Sequence, residues 1–133
     1  MTNLVAYGFA LVIFVLADMI WLGSMASRFY RPTLGDIMLS GVNLAPAILF
    51  YLLYPIGLLL FAISPALKND SLATASVYGA LFGLFTYATY DLSNQATLRN
   101  WSATLTAVDI GWGTLLGGVS ASLAYWLTVR LVS

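Results

Sequence analysis

The sequence predicts an all-α integral membrane protein: a four-helix bundle whose second helix is kinked at prolines. Three observations predict it. First, 61% of the 133 residues are hydrophobic and 8% are charged, against about a quarter charged in a soluble domain. Second, the chain divides into four apolar stretches, each near the roughly 20 residues a helix needs to cross a bilayer. Third, the breaks between them are short and hold Pro32, Pro65 and most of the amides and charges, as expected of connections. The chain therefore reads as one transmembrane domain, residues 1–133, with spans at about 3–27, 42–63, 72–92 and 103–129.

The first span reads as retained, because no basic residue precedes it and Asp18 and Trp21 sit near its end, unlike a cleaved leader. Arg28-Phe29-Tyr30-Arg31-Pro32 is expected to end it, with two cations and an aromatic pair at the interface. The mildly polar piece from Thr33 to Gly41 is expected to form a short interfacial turn of helix. The second span contains Pro46 and Pro55, which membrane helices tolerate as kinks. Ser64 to Ser71, with Pro65, Lys68, Asn69 and Asp70, reads as a tight turn. The third span runs from Leu72 to Leu92 and is followed by a polar stretch from Ser93 to Trp101. The fourth runs from Ala103 to Val129. Trp101 and Trp126, near helix ends, suit interfacial anchoring.

Composition excludes several chemistries. There is no Cys, no His and no Glu. Disulfides, thiolate chemistry and the usual His- or Cys-based metal centres are therefore not available. No metal site and no cofactor is expected. The formal net charge is zero and there is no basic run, so nucleic acid is not an expected partner. The single Lys, Lys68, lies in a connection, which excludes a retinal Schiff base inside the bundle.

Three of the five acidic residues, Asp18, Asp91 and Asp109, lie in or at the ends of the apolar stretches. A carboxylate in hydrocarbon costs roughly 3 kcal/mol on insertion scales, so such residues face a bundle interior, a partner or a wet cavity. Four spans place both termini on one side, and all three aspartates fall in the opposite half. Asp18 is roughly 15 Å along the helix from Arg28, and Asp109 roughly 10 Å beyond the Trp101 end of the fourth span. Arg28, Arg31 and Arg99 lie on that side against Lys68 and Arg130 on the other, which leans toward a cytoplasmic site and outward termini.

The faces of the third and fourth helices agree with this placement. One i+4 row reads Ala75, Gly79, Gly83, Tyr87, Asp91, Gln95, and another Asp109, Gly113, Gly117, Ala121. Each holds the Gly-x-x-x-Gly spacing that lets membrane helices approach closely. Packing these stripes together brings Asp91 toward Asp109. Two carboxylates held close cannot both ionise easily, and such a pair can act as general acid and base. Asp91 and Asp109 are the expected acid/base pair, with Asp18 orienting water or a substrate group. Arg99 is expected to attract an anionic headgroup, Asn94 and Gln95 to supply hydrogen bonds, and Trp21, Trp112 and Tyr87 to line the pocket. Tyr7, Tyr51, Tyr54 and Tyr90 are further polar-tipped candidates. The Asp-x-x-Trp pieces at Asp18–Trp21 and Asp109–Trp112 match in two residues only, for which chance is the better explanation.

The run from Tyr90 through Asp91-Leu92-Ser93-Asn94-Gln95-Ala96-Thr97-Leu98-Arg99-Asn100 to Trp101 resembles the signature of a bacterial family of small four-helix membrane proteins. This is the domain-of-unknown-function 2177 family. Asp18-x-x-Trp21-Leu22 and Asp109-x-x-Trp112-Gly113 are similar to its other recurrent blocks. The resemblance covers essentially the whole chain, and Ser93 stands where Thr is expected. It implies a link to lipid without naming an activity. The leading expectation is binding or processing of a lipid or other hydrophobic small molecule by metal-free acid/base chemistry. The alternatives are an oligomeric proton- or cation-coupled transporter and an accessory subunit of a lipid-modifying enzyme. The partners expected are membrane lipid, such an enzyme, or a second copy of the chain; the expected location is the bacterial inner (cytoplasmic) membrane.

Overall fold

Helices α1 (Thr2–Leu34), α2 (Leu44–Asn69), α3 (Leu72–Thr97) and α4 (Ala103–Val132) are each long and apolar enough to cross a membrane. The computed structural model describes residues 1–35 and 43–132. The interfacial turn expected between Thr33 and Gly41 falls mostly on residues 36–41, outside the described residues. The helices form a ring in chain order, with α4 packed most extensively on α3 and then on α1. Many large apolar side chains face outward, among them Leu16, Ile20, Leu53 and Phe85. In a soluble protein that surface would be a liability; against lipid it is the expected exterior.

The two sequence breaks that the structure describes in full become tight connections. Asp70 takes the left-handed conformation (φ 49°) and ends α2. Ser71 Oγ then accepts the Thr74 N–H at 3.1 Å, capping α3. Ser102 Oγ does the same for the Leu105 N–H at the start of α4, at 3.2 Å.

Two helices run further than their prolines predict. The sequence expects α1 to stop at Arg28–Pro32, yet it continues through a π-helical turn, Ala26–Tyr30, and one more α-turn to Leu34. Gly35, with φ 58°, ends it. The sequence expects a tight turn at Ser64–Ser71, yet α2 passes through a second π-helical turn, Leu59–Ile63, and on to Asn69. In both cases a proline, Pro32 or Pro65, sits two residues beyond the π turn. A proline ring collides with the carbonyl one α-turn back and lacks an N–H for it. The wider i→i+5 turn moves that carbonyl away, so the helix continues. Pro46 falls in the first turn of α2, where it loses no intrahelical partner, so the interruption falls at Pro55.

The core runs along the seam of small residues. Ala75, Gly79 and Gly83 of α3 are buried against Gly113, Gly117 and Ala121 of α4. A Cβ at Gly83 would strike the Gly113 carbonyl oxygen, and one at Gly117 would strike the Gly79 carbonyl oxygen. The two backbones are therefore in contact, as the paired stripes predict. With Gly79 opposite Gly117 and Gly83 opposite Gly113, the same antiparallel register places Tyr87 level with Asp109 and Asp91 level with Leu105. Gly113 meets the ring of Tyr87 accordingly. Gly83→Ala is expected to destabilise the bundle by about 1–3 kcal/mol, the usual cost of overpacking. Gly111→Ala, where nothing lies within 4 Å, should stay within about 0.5 kcal/mol of wild type. Equilibrium unfolding in mixed micelles measures both; equal losses would contradict the backbone contact.

Candidate functional site

The three aspartates converge at the end of the bundle where α1 and α3 finish and α2 and α4 begin. Each comes from a different helix, and each is held differently. Asp18 is buried and its two oxygens are each supplied with a donor. The Tyr51 hydroxyl of α2 donates to Oδ2 at 2.6 Å, and the Trp112 indole N–H of α4 donates to Oδ1 at 3.2 Å. Asp109 Oδ1 accepts the Tyr30 hydroxyl at 2.6 Å, and that hydroxyl in turn accepts the Trp21 indole N–H at 2.9 Å.

Asp91 is the exception. It is fully buried, at 0% exposure, and neither of its oxygens has a hydrogen-bond partner. The polar group it faces is the carboxyl of Asp109, which is itself an acceptor when ionised.

The two Asp-x-x-Trp pieces, whose likeness is too short to mean anything in the sequence, are packed on each other. Trp21 and Trp112 stack with centroids 4.4 Å apart and planes 6° from parallel. Because α1 and α4 run in opposite directions, each tryptophan lies level with the other helix's aspartate. Trp112 donates to Asp18 directly; Trp21 reaches Asp109 through Tyr30. Buried indoles and phenols need partners, and buried carboxylates need donors, so the arrangement satisfies both at once.

Two chambers meet here. An acidic one of about 240 Å³ is walled by Asp18, Asp91, Asp109, Trp21, Trp101 and Trp112, with Tyr30, Tyr87 and Tyr90 alongside. An apolar one of about 360 Å³ lies between the first half of α2 and α3, lined by Phe50, Tyr54, Thr86, Tyr87, Tyr90 and Asp109. Tyr87, Tyr90 and Asp109 border both, so the two adjoin. The apolar chamber exists because the first half of α2 packs on α1 and comes close to α3 chiefly at the π turn. Ahead of that turn the gap is bridged by side chains, with Tyr54 Oη 3.1 Å from Thr86 Oγ1 and the Tyr54 ring on Phe82. The volumes fall near the range of small-molecule sites, roughly 300–1,000 Å³.

Of the residues singled out from sequence, Asp18, Asp91, Asp109, Trp21, Trp112 and Tyr87 line the acidic chamber. Asn94, Gln95 and Arg99 line neither chamber; Gln95 and Arg99 are exposed. They lie at the end of α3 and in the connection after it, past the acids. Trp126 is exposed with Arg130 4.6 Å over its ring, as an interfacial anchor would be. Trp101 is instead drawn into the chamber wall, its N–H donating to Thr106 Oγ1 at 3.0 Å. Tyr30 is the main residue that sequence reasoning misses. Its signal is the i+4 row Leu22, Ala26, Tyr30, Leu34, which lines the chamber once α1 is allowed past Pro32.

The model of the family described as Predicted membrane protein (DUF2177) matches residues 3–126. The chain belongs to this family. No curated protein and no solved structure matches it. In this DUF2177 member, the match takes in all three aspartates and both stacked tryptophans.

Tyr30→Phe removes a donor from Asp109 and the acceptor of Trp21, and is expected to cost about 1–3 kcal/mol of stability. Trp112→Phe should in addition abolish the near-ultraviolet circular-dichroism signal of the stacked indole pair. Retention of that signal would contradict the stacking.

Proposed function

We propose that the protein draws a lipid or lipid-like amphiphile from the bilayer and holds its polar end at Asp91 and Asp109. The observation that carries this reading is Asp91, a fully buried carboxyl in the wall of the acidic chamber that faces Asp109 and has no other donor among the described residues. An unsatisfied buried polar group costs about 1–3 kcal/mol, more if charged. A donor on a ligand would recover that cost. The adjoining apolar chamber supplies a place for the ligand's tail, bordering the acidic one at Tyr87 and Tyr90.

The pair can also do chemistry without a metal. Two facing carboxyls share one proton more readily than both ionise. Such a pair can give a proton to a bound group and take one back. Asp18, with both oxygens already committed to Tyr51 and Trp112, serves here to fix the wall rather than to react. Anionic-headgroup binding by Arg99 has no part in this reading, since Arg99 borders neither chamber.

A one-sided pocket is favoured over a conduit through a single chain. Away from the acids, the interior is filled by Ala6, Ala10, Phe14, Ala62, Leu116 and Ala124, all at most 1% exposed. The polar groups buried there are Ser120 and Thr128 hydroxyls.

The test is a lipid mass-spectrometric comparison of cells expressing wild type or Asp91→Asn at matched membrane levels. A lipid species that co-purifies with wild type, or changes in abundance with it, is expected to disappear with Asp91→Asn. Identical profiles and identical co-purifying lipid would refute the reading.

A further inference from the structure

We propose that the polar end of the ligand is an organic ammonium, held between Asp91 and Asp109 and enclosed by aromatic rings. The inference rests on the amphiphile-binding reading above and adds the chemical class of the head. It follows from an accounting of the hydrogen-bonding groups around the acidic chamber. The indole N–H groups of its walls are already used: Trp21 on Tyr30, Trp112 on Asp18, and Trp101 on Thr106. The Tyr30 hydroxyl is used on Asp109. What remains in the wall is the facing pair of carboxyls: Asp91, with no other partner among the described residues, and Asp109, with one oxygen on Tyr30. The hydroxyls of Tyr87 and Tyr90, on the shared wall, can act either way.

A site that presents carboxyl oxygens selects a head that donates. A phosphate or carboxylate head would add an acceptor and a like charge, and no Lys or Arg lines either chamber to receive it. A hydroxyl head could donate but would leave the charge of the pair uncompensated. An ammonium head donates and compensates the charge. The rest of the wall fits it: Trp21, Tyr30, Tyr87, Tyr90, Trp101 and Trp112 line the chamber with aromatic rings, and cations are attracted to ring faces, most strongly when desolvated.

The experiment uses the purified protein in dodecylmaltoside, with indole fluorescence as readout because three tryptophans line the chamber. Three probes share one tail: octylammonium, whose three N–H groups donate, octanol and octyl phosphate. Saturable binding of the ammonium is expected, at least about tenfold tighter than octanol, with no saturation by octyl phosphate. Asp91→Asn should weaken the ammonium by about tenfold or more. Leu34→Lys, which places a fixed cation at the chamber wall without touching an acid, should do the same while octanol binding holds. It decides the matter if Asp91→Asn does not fold. Octanol or octyl phosphate binding as tightly as the ammonium, or an unchanged ammonium affinity in Leu34→Lys, would overturn the inference and leave amphiphile binding standing. Failure of all three probes to saturate would overturn both.

Discussion

A carboxylate inside an apolar bundle must be given its hydrogen bonds by the protein, because hydrocarbon supplies none. The arrangement of this molecule's upper half follows from that requirement. Tyrosine and tryptophan are the donors an apolar helix can carry at little cost, since each has an apolar body and a single polar tip. Asp18 and Asp109 are served by two phenols and one indole drawn from α1, α2 and α4, with the Trp21 indole donating to one of those phenols, Tyr30. Those bonds fix which helices lie beside which, and at what height. The glycine seam then sets α3 against α4 backbone to backbone, which delivers Asp91 to the same place with nothing left to serve it.

Structural and functional roles separate cleanly among the three acids as a result. A fully satisfied carboxyl is a fastening: its oxygens have no capacity left for another molecule. Asp18 is of that kind. Asp91 is the opposite, and Asp109 is intermediate, with one oxygen engaged by Tyr30. Burial alone would have ranked Asp18 with Asp91; the partners distinguish them.

Much of the fold is legible in the sequence because the bilayer allows few solutions. Four apolar stretches can only be four helices, and the i+4 rows through Gly79, Gly83, Gly113 and Gly117 name the faces that touch. The convergence of Asp91 and Asp109 follows from those rows and the antiparallel run of adjacent helices. What the sequence hides is local and geometric. Pro32 and Pro65 read as stops, because a proline's cost is reckoned against an α-helix; the π turns before them remove it. That misreading assigns Tyr30 to the interface. The reciprocal use of Trp21 and Trp112 depends on the vertical offset of α1 against α4, which no spacing within either helix contains. Asn94, Gln95 and Arg99 attract notice as a polar cluster next to Asp91, but the chain has turned outward by the time it reaches them.

The helices are not tied together equally. α1 and α4 are clasped by stacked indoles and the bonds running from them to both aspartates. α3 and α4 are locked by backbone contact. The first half of α2 packs on α1, where Phe14 stacks on Tyr54 and the Tyr7 hydroxyl donates to the Leu52 carbonyl, but ahead of the π turn it meets α3 through side chains, chiefly Tyr54 on Thr86 and Phe82. Three helices thus behave as a post, and this half-helix as a slat leaning on it. Moving the slat away from α3 would part the wall of the apolar chamber at the cost of the Tyr51–Asp18 and Tyr54–Thr86 bonds. The half-helix that walls the chamber is thus the one joined to α3 by side chains ahead of the π turn.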